Sequence, residues 1–440
     1  MTAVIYSQFV ALGANTPLLA ALGATAELVF GLLVVAVSLG TVSRSYWLRL
    51  YLVLGLVLAA LTWFLWPRWS PLLPALATAP GWRPALNPDA VTLEAIKLAG
   101  AAAMALSSAV LARSRVRAIN LTNWLVIGGG GYVVFCLWLW RWDPYSVWGI
   151  SKGPHGWLFT GSLLSANAAG CVFGMISLLA LGLLQSMSRS LDLHAPRLRE
   201  LLLFGAAGFG VIGALAAAAL TGSRTSLLLT ALLTAVLAAA DLARIRDGSK
   251  LPRVIGAAAL GVILTAMAAG VGFGPINAKS SLHEEFGSRM AAYRDYLRAA
   301  AAAPVSGYGP GAFPLVNAAT LPSGRMDDRW SYIAARCAPL QAALEGGLPF
   351  LLLLAVALAV TVIQIVHAWL ARKAASAASI AALAAGLLAF GCSLVDIALN
   401  VPALAAFAAT VMGLAWGASA GLDAPRARSA KPQGWGRPAA

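Results

Sequence analysis

The chain has 440 residues, 60% hydrophobic and 11% charged, a balance that excludes an ordinary soluble domain and makes lipid its main solvent. A net charge of +15 would suit nucleic acid, but the basic residues are spread over short loops and form no aromatic-interleaved stripe, so no nucleic-acid partner is expected. The four cysteines show neither metal-ligand spacing nor a disulfide framework.

Apolar runs recur along the whole length, each near the roughly 20 residues a helix needs to cross a bilayer. They predict an all-α integral membrane protein of about 11 to 12 transmembrane helices, with spans at 21–42, 50–66, 93–112, 119–140, 163–186, 200–221, 226–242, 254–274, 348–369, 377–395 and 401–421. A β-barrel is excluded, because runs such as the one from Leu348 are apolar on every face instead of alternating. A short helix in the first twenty residues would make twelve spans and put the N-terminus inside. No basic residue precedes the first apolar stretch, as a cleaved signal peptide would require.

Sorting the connections into alternate sets puts 18 Lys and Arg on one side and 5 in the short loops of the other. By the positive-inside rule the first set is cytoplasmic and the second faces outward. Trp63, Trp66, Trp69, Trp138, Trp140 and Trp142 cluster at the proposed outer ends, where indoles favour the headgroup layer. The chain then divides into N-terminal spans (1–274), one large outward, periplasmic loop (275–347), C-terminal spans (348–422) and a Pro-, Gly- and Arg-rich disordered cytoplasmic tail (423–440).

The loop is too long for a passive connector and is the natural place for chemistry. Phe286, Met290, Tyr293 and Leu297 recur at helical spacing and predict an amphipathic helix, with Arg289, Arg294 and Arg298 at its margins, lying on a membrane or covering a cavity. Arg289 there suits phosphate, since a guanidinium stays charged and grips phosphate oxygens in pairs; a solvated helix charge is the plainer alternative. Arg224, in T-G-S-R-T between two spans, either meets an anion or snorkels to the headgroups. Gly307, Gly309 and Gly311 in S-G-Y-G-P-G-A-F either turn the chain or expose backbone N–H groups to an anion.

T-G-S-R-T at 221, R-M-A-A-Y-R-D-Y-L from Arg289, P-V-S-G-Y-G-P-G-A-F from Pro304 and L-Q-A-A-L-E-G-G-L-P from Leu340 together resemble the O-antigen ligase and O-antigen polymerase superfamily. Two further segments join the resemblance, which runs from about 160 to 421. T-G-S-L-L-S-A-N-A-A-G from Thr160 is similar to the Asn-containing segment of exopolysaccharide polymerases, and S-L-V-D-I-A-L-N-V-P-A from Ser393 is the second. The resemblance implies a metal-independent, cofactor-free glycosyltransferase of a bacterial inner membrane. Such an enzyme takes a glycan from a polyprenyl diphosphate carrier and joins it to a glycan or lipid acceptor. It implies that Arg224 and Arg289 hold the diphosphate and makes Asn167, Gly307, Gly309 and Gly311 candidates for the substrate cavity.

One departure bears on mechanism. Where the family carries His-Asn before the Leu-Gln step, this chain has Arg336 and Cys337, and a frequent family His before S-L-V-D is Cys392. Arg336 cannot be a base at neutral pH but can join the diphosphate site. The outward candidates for the proton are His155, His283, Glu284, Glu285, Asp327, Asp328 and Glu345. Glu345, at the family's Glu-x-Gly position, is the expected catalytic group, with capping of the following helix as its alternative role. The leading reading is a polymerase or ligase, polymerase preferred for the Asn167 segment. The rivals are a transporter or flippase of the same lipid-linked glycan, which paired repeats would reveal, and a non-catalytic assembly partner.

Overall fold

The computed structural model describes residues 1–69, 84–153, 156, 158–188, 198–242, 278–321, 328–372 and 376–420. The expected span at 254–274 and the tail from Asp423 lie outside the described residues. Eight described helices are long and apolar enough to cross a membrane. They are α2 (Pro17–Ser38), α3 (Arg44–Trp69), α4 (Pro88–Leu111), α5 (Arg115–Trp142), α6 (Ala166–Met187), α7 (Leu198–Leu220), α11 (Ala338–Arg372) and α13 (Pro402–Ala420). Two shorter apolar helices, α8 (Arg224–Leu242) and α12 (Ala377–Ser393), stand where spans were expected at 226–242 and 377–395.

Local chemistry sets several starts. Thr16 accepts the Leu19 N–H ahead of Pro17, so α2 begins before the apolar run suggests. Asn87 with Pro88 does the same for α4, and Ser114, Ser165 and Ser376 cap α5, α6 and α12. The first residues form α1 (Thr2–Val10), whose nine residues reach about 14 Å and cannot cross a bilayer. Ile5 and Phe9 are fully buried, and Tyr6 donates to the Leu125 carbonyl in the middle of α5. This half-helix is packed inside the bundle and is not a twelfth span.

The connections sort onto two ends of the bundle. At one end Asn15 bonds Leu163, Trp63 bonds Gly346, Leu86 bonds Tyr308 and Asn167 bonds Asp396. At the other, Arg113 bonds Thr41, Trp369 bonds Ser379 and Trp416 bonds Gln364.

Helix α6 is the hub, buried throughout from Ala168 to Gln185. Its glycines admit close neighbours, as small residues do wherever membrane helices approach closely. A Cβ at Gly170 would lie 2.5 Å from Ser226 Oγ, one at Gly174 2.4 Å from Thr230 Oγ1, and one at Gly182 2.2 Å from Ala381 Cβ.

Between α8 and the last spans, residues 278–321 and 328–347 form a module of their own. It contains α9 (Ala278–Ala302), α10 (Phe313–Thr320) and the start of α11, around a core of Ala292, Tyr296, Phe313, Val316, Ala335, Leu340 and Leu344. The face of α9 packed into the module lies beside the expected stripe, of which Tyr293 touches the core. Ala292 and Tyr296 are buried, while Met290 is 39% and Leu297 59% exposed. Alanine lets the helices close in, and Tyr296 is satisfied by donating to Asn317 Oδ1 at 2.5 Å, so its hydroxyl does not bar it from the core.

Within α11 the chain kinks at Gly347 (φ 72°, ψ −178°), a conformation open essentially to glycine alone. The residues before the kink belong to the module, and the spanning stretch follows it. Val305 O lies 2.1 Å from where a Gly347 Cβ would stand, and Leu348 N–H donates to Pro304 O at 2.8 Å.

Candidate functional site

Arg336 stands on the turn before α11 with φ 53°, a left-handed conformation that costs a non-glycine residue about 1 to 3 kcal/mol. Three contacts hold it there. Tyr293 Oη donates to the Arg336 carbonyl at 3.0 Å, and the guanidinium carbon lies 4.4 Å from the centre of the Tyr332 ring. Gln341 Oε1 accepts the Ala335 N–H at 2.8 Å. Arg336 is therefore a cation on a fixed mount.

Tyr293 is the meeting point. Burial pushes its hydroxyl above the usual tyrosine range, Cys337 and Asp396 push it the same way, and the guanidinium groups of Arg289 and Arg336 pull it back. Residues of α9, the Arg336 turn and the 394–396 connection thus lie within electrostatic reach of one phenol. Asp396 is buried, with Oδ1 accepting the Ile397 N–H at 2.6 Å and Oδ2 accepting from Asn167 Nδ2. Asn167 stands in the first turn of α6, behind the Ser165 cap. The hub helix thereby presents its N-terminal turn, through Asp396, to the cationic module.

Arg224 begins α8 and is exposed, with no hydrogen bond or ion pair among the described residues. Its neighbours fix the corner: Thr221 Oγ1 accepts the Ser223 N–H, Ser226 bonds Ser223, and Ser226 packs on Gly170, three residues from Asn167. The arginine is anchored by its backbone beside the Asn167 turn while its side chain stays open to a ligand.

Glu345 occupies a second setting, joined to the first through one side chain. Gln341, which holds the Arg336 turn, donates from Nε2 to Glu345 Oε1 at 2.6 Å. The Gly311 N–H also donates to the carboxylate. Burial raises the Glu345 carboxyl from 4.5 to about 7; the nearby Glu94 charge adds to this, and Gly311, Lys97 and Gln341 oppose it. Lys97 itself binds both oxygens of Glu94 at 2.7 Å.

The glycine segment packs against this same corner. Gly307 N–H donates to Ala303 O, Tyr308 N–H to Leu344 O, Gly309 N–H to Glu345 O and Gly311 N–H to the Glu345 side chain. A Cβ at Gly307 would lie 2.6 Å from Leu344 O. These amides already have protein acceptors, and the glycines give the close backbone approach that builds the corner. His155 and Asp327 lie outside the described residues, as do the side chains of His283, Glu284, Glu285 and Asp328.

Sequence reasoning missed Tyr293, Tyr332, Gln341 and Asp396 as site residues. Asp396 and Gln341 stood inside the quoted motifs without a role, and Tyr293 sits four residues after Arg289 on one helix face. Residues 209–355 match the family model described as O-antigen ligase, which bears out the resemblance over that stretch. The matched range holds Arg224, Arg289, Arg336, Glu345 and the three glycines; Asn167 and Asp396 fall outside it. No curated protein matches the chain.

Proposed function

We propose that this chain, whose residues 209–355 match the O-antigen ligase family, is a membrane glycosyltransferase acting on a polyprenyl diphosphate-linked glycan at the outward face of a bacterial inner membrane. The observation that carries this reading is the gathering of Arg289, Arg336 and Asp396 around Tyr293. Those residues lie up to 107 positions apart in sequence. Two half-buried guanidinium groups suit a diphosphate, with Arg224 at the neighbouring corner as a third cation.

In the reaction the acceptor hydroxyl oxygen attacks the anomeric carbon, and the bond from that carbon to the diphosphate oxygen breaks. The arginines stabilise the charge that develops on the leaving diphosphate. The acceptor proton goes to a carboxylate. Glu345 has a proton affinity matched to neutral pH, and Asp396 has the position beside the cations. Polymerase is preferred over ligase because Asn167, from the polymerase-like segment, is bonded to Asp396 in this site.

The test is incubation of the purified protein in detergent with a polyprenyl diphosphate-linked oligosaccharide. A polymerase yields longer carrier-linked glycans and releases polyprenyl diphosphate, with no second compartment needed. General-base help is worth about 100 to 10,000-fold, so whichever of Glu345→Gln and Asp396→Asn removes the base loses that much turnover. Carrier moved between leaflets of proteoliposomes without glycan transfer would establish a flippase instead. Binding without either would leave an assembly partner.

A further inference from the structure

Helices α6 and α12 run antiparallel in a register that can be followed residue by residue. Asn167 meets Asp396 at the loop-bearing end, Gly174 meets Leu388, and Gly182 meets Ala381. Four steps along α6 from Asn167 is Cys171, and four steps back from Asp396 is Cys392. Eleven steps further on each helix is the Gly182 and Ala381 pair. The register therefore sets the two thiols opposite each other, and their side chains are in hydrogen-bond contact. Both are buried, Cys171 completely and Cys392 to 4% exposure.

The seam is built to hold helices close. A disulfide needs Cα atoms about 4.4 to 6.8 Å apart, and the seam is close-packed eleven residues along it, where a Cβ at Gly182 would lie 2.2 Å from Ala381 Cβ. Cys136 is buried among Tyr132 and Ser162, and Cys337 lies on the Arg336 turn; neither faces another thiol among the described residues.

We propose that Cys171 and Cys392 are a disulfide-forming pair, a modification site that ties α6 to α12 one turn beneath the Asn167–Asp396 bond. The oxidant is a disulfide donor. Both S–H bonds break, one S–S bond forms, and the two electrons and two protons reduce the donor disulfide to two thiols. The bond fixes the post on which Asn167 and Asp396 stand, and spacing alone gives no hint of it, because 220 residues separate the cysteines.

The experiment treats the full chain in detergent with 4,4′-dithiodipyridine, warming slowly to just below its melting midpoint so that the seam opens. The sample is then denatured in excess maleimide, digested and analysed by mass. The expected result is a Cys171 peptide joined to a Cys392 peptide, two hydrogens lighter than the reduced pair. It persists in Cys136→Ser and Cys337→Ser and is lost after reduction. Pyridyl or maleimide adducts on both cysteines with no joined peptide would overturn the proposal. The readout is a covalent bond, so it stands or falls separately from glycan transfer.

Discussion

The seam between α6 and α12 and the module at 278–347 are held together by opposite means. The seam is nearly free of charge and closes on glycine, alanine and hydroxyl groups bonded to their own helix, as Ser393 is to Ala389 O and, on neighbouring α8, Thr230 to Ser226 O. The module carries a half-buried ion pair, Arg329 to Asp295 at 2.9 Å, and backbone positions in left-handed conformations that include Arg336 and Gly347. Uniform packing of small residues gives a rigid post, whereas strained turns fix the direction of individual side chains. Asn167 with Asp396 belongs to the post and Arg289 with Arg336 to the module. The candidate site is where the two meet.

The largest effects should come from glycines that allow each region its close approach. Gly347→Ala puts a Cβ 2.1 Å from Val305 O at a backbone geometry that alanine resists, and should cost at least about 3 kcal/mol, read as loss of module structure by hydrogen exchange with the spans still protected. Gly182→Val forces Ala381 away and should cost about 1 to 3 kcal/mol, spread over the whole bundle as a lower melting midpoint. If Gly182→Val left the midpoint unchanged, the seam would not be the rigid partner.

Next in size is a pH effect confined to the module. Burial lifts the Glu345 carboxyl to about 7 against an ordinary 4.5, so its stabilising contribution is fully present below about pH 4.5 and is lost as pH rises through about 7. Wild-type protein should therefore lose melting temperature between pH 5 and pH 8 relative to Glu345→Gln. Parallel profiles for the two proteins would remove Glu345 as a titrating group. If it is also the base, turnover rises over the same interval.

The helices of the bundle were largely legible in the sequence because bilayer thickness dictates helix length. Half-helix α1 was not, since T-A-V-I-Y-S-Q-F-V reads as a candidate twelfth span until α5 and α13 are seen to enclose it. The packed face of α9 was not legible because hydropathy ranks Met290 and Leu297 above Ala292, while packing ranks closeness of approach first. Arginines announced themselves as costly charges near spans. Tyr293 and Asp396 did not, because their significance lies in partners 43 and 229 residues away. Glycines 307, 309 and 311 were equally compatible with an anion cradle or a packed corner, and only the acceptors of their N–H groups reveal the packed corner.

A smaller effect separates strain from function within the module itself. Arg336→Gly relieves the left-handed backbone and should raise stability by about 1 kcal/mol in thermal unfolding, while glycan transfer falls. A variant both less stable and fully active would show that the mount on Tyr293 and Tyr332 serves folding alone.

The most direct measurement is the affinity of the purified protein for a short-chain polyprenyl diphosphate, compared among wild type, Arg289→Ala, Arg336→Ala and Arg336→Lys. The expected outcome is a Kd at least about 10-fold weaker for each alanine variant, a charge-assisted hydrogen bond being worth about 1.5 to 3 kcal/mol, with little recovery in Arg336→Lys because an ammonium lacks the planar fork. Unchanged Kd in both alanine variants, with the bundle intact by melting midpoint, would contradict a diphosphate site at this cluster.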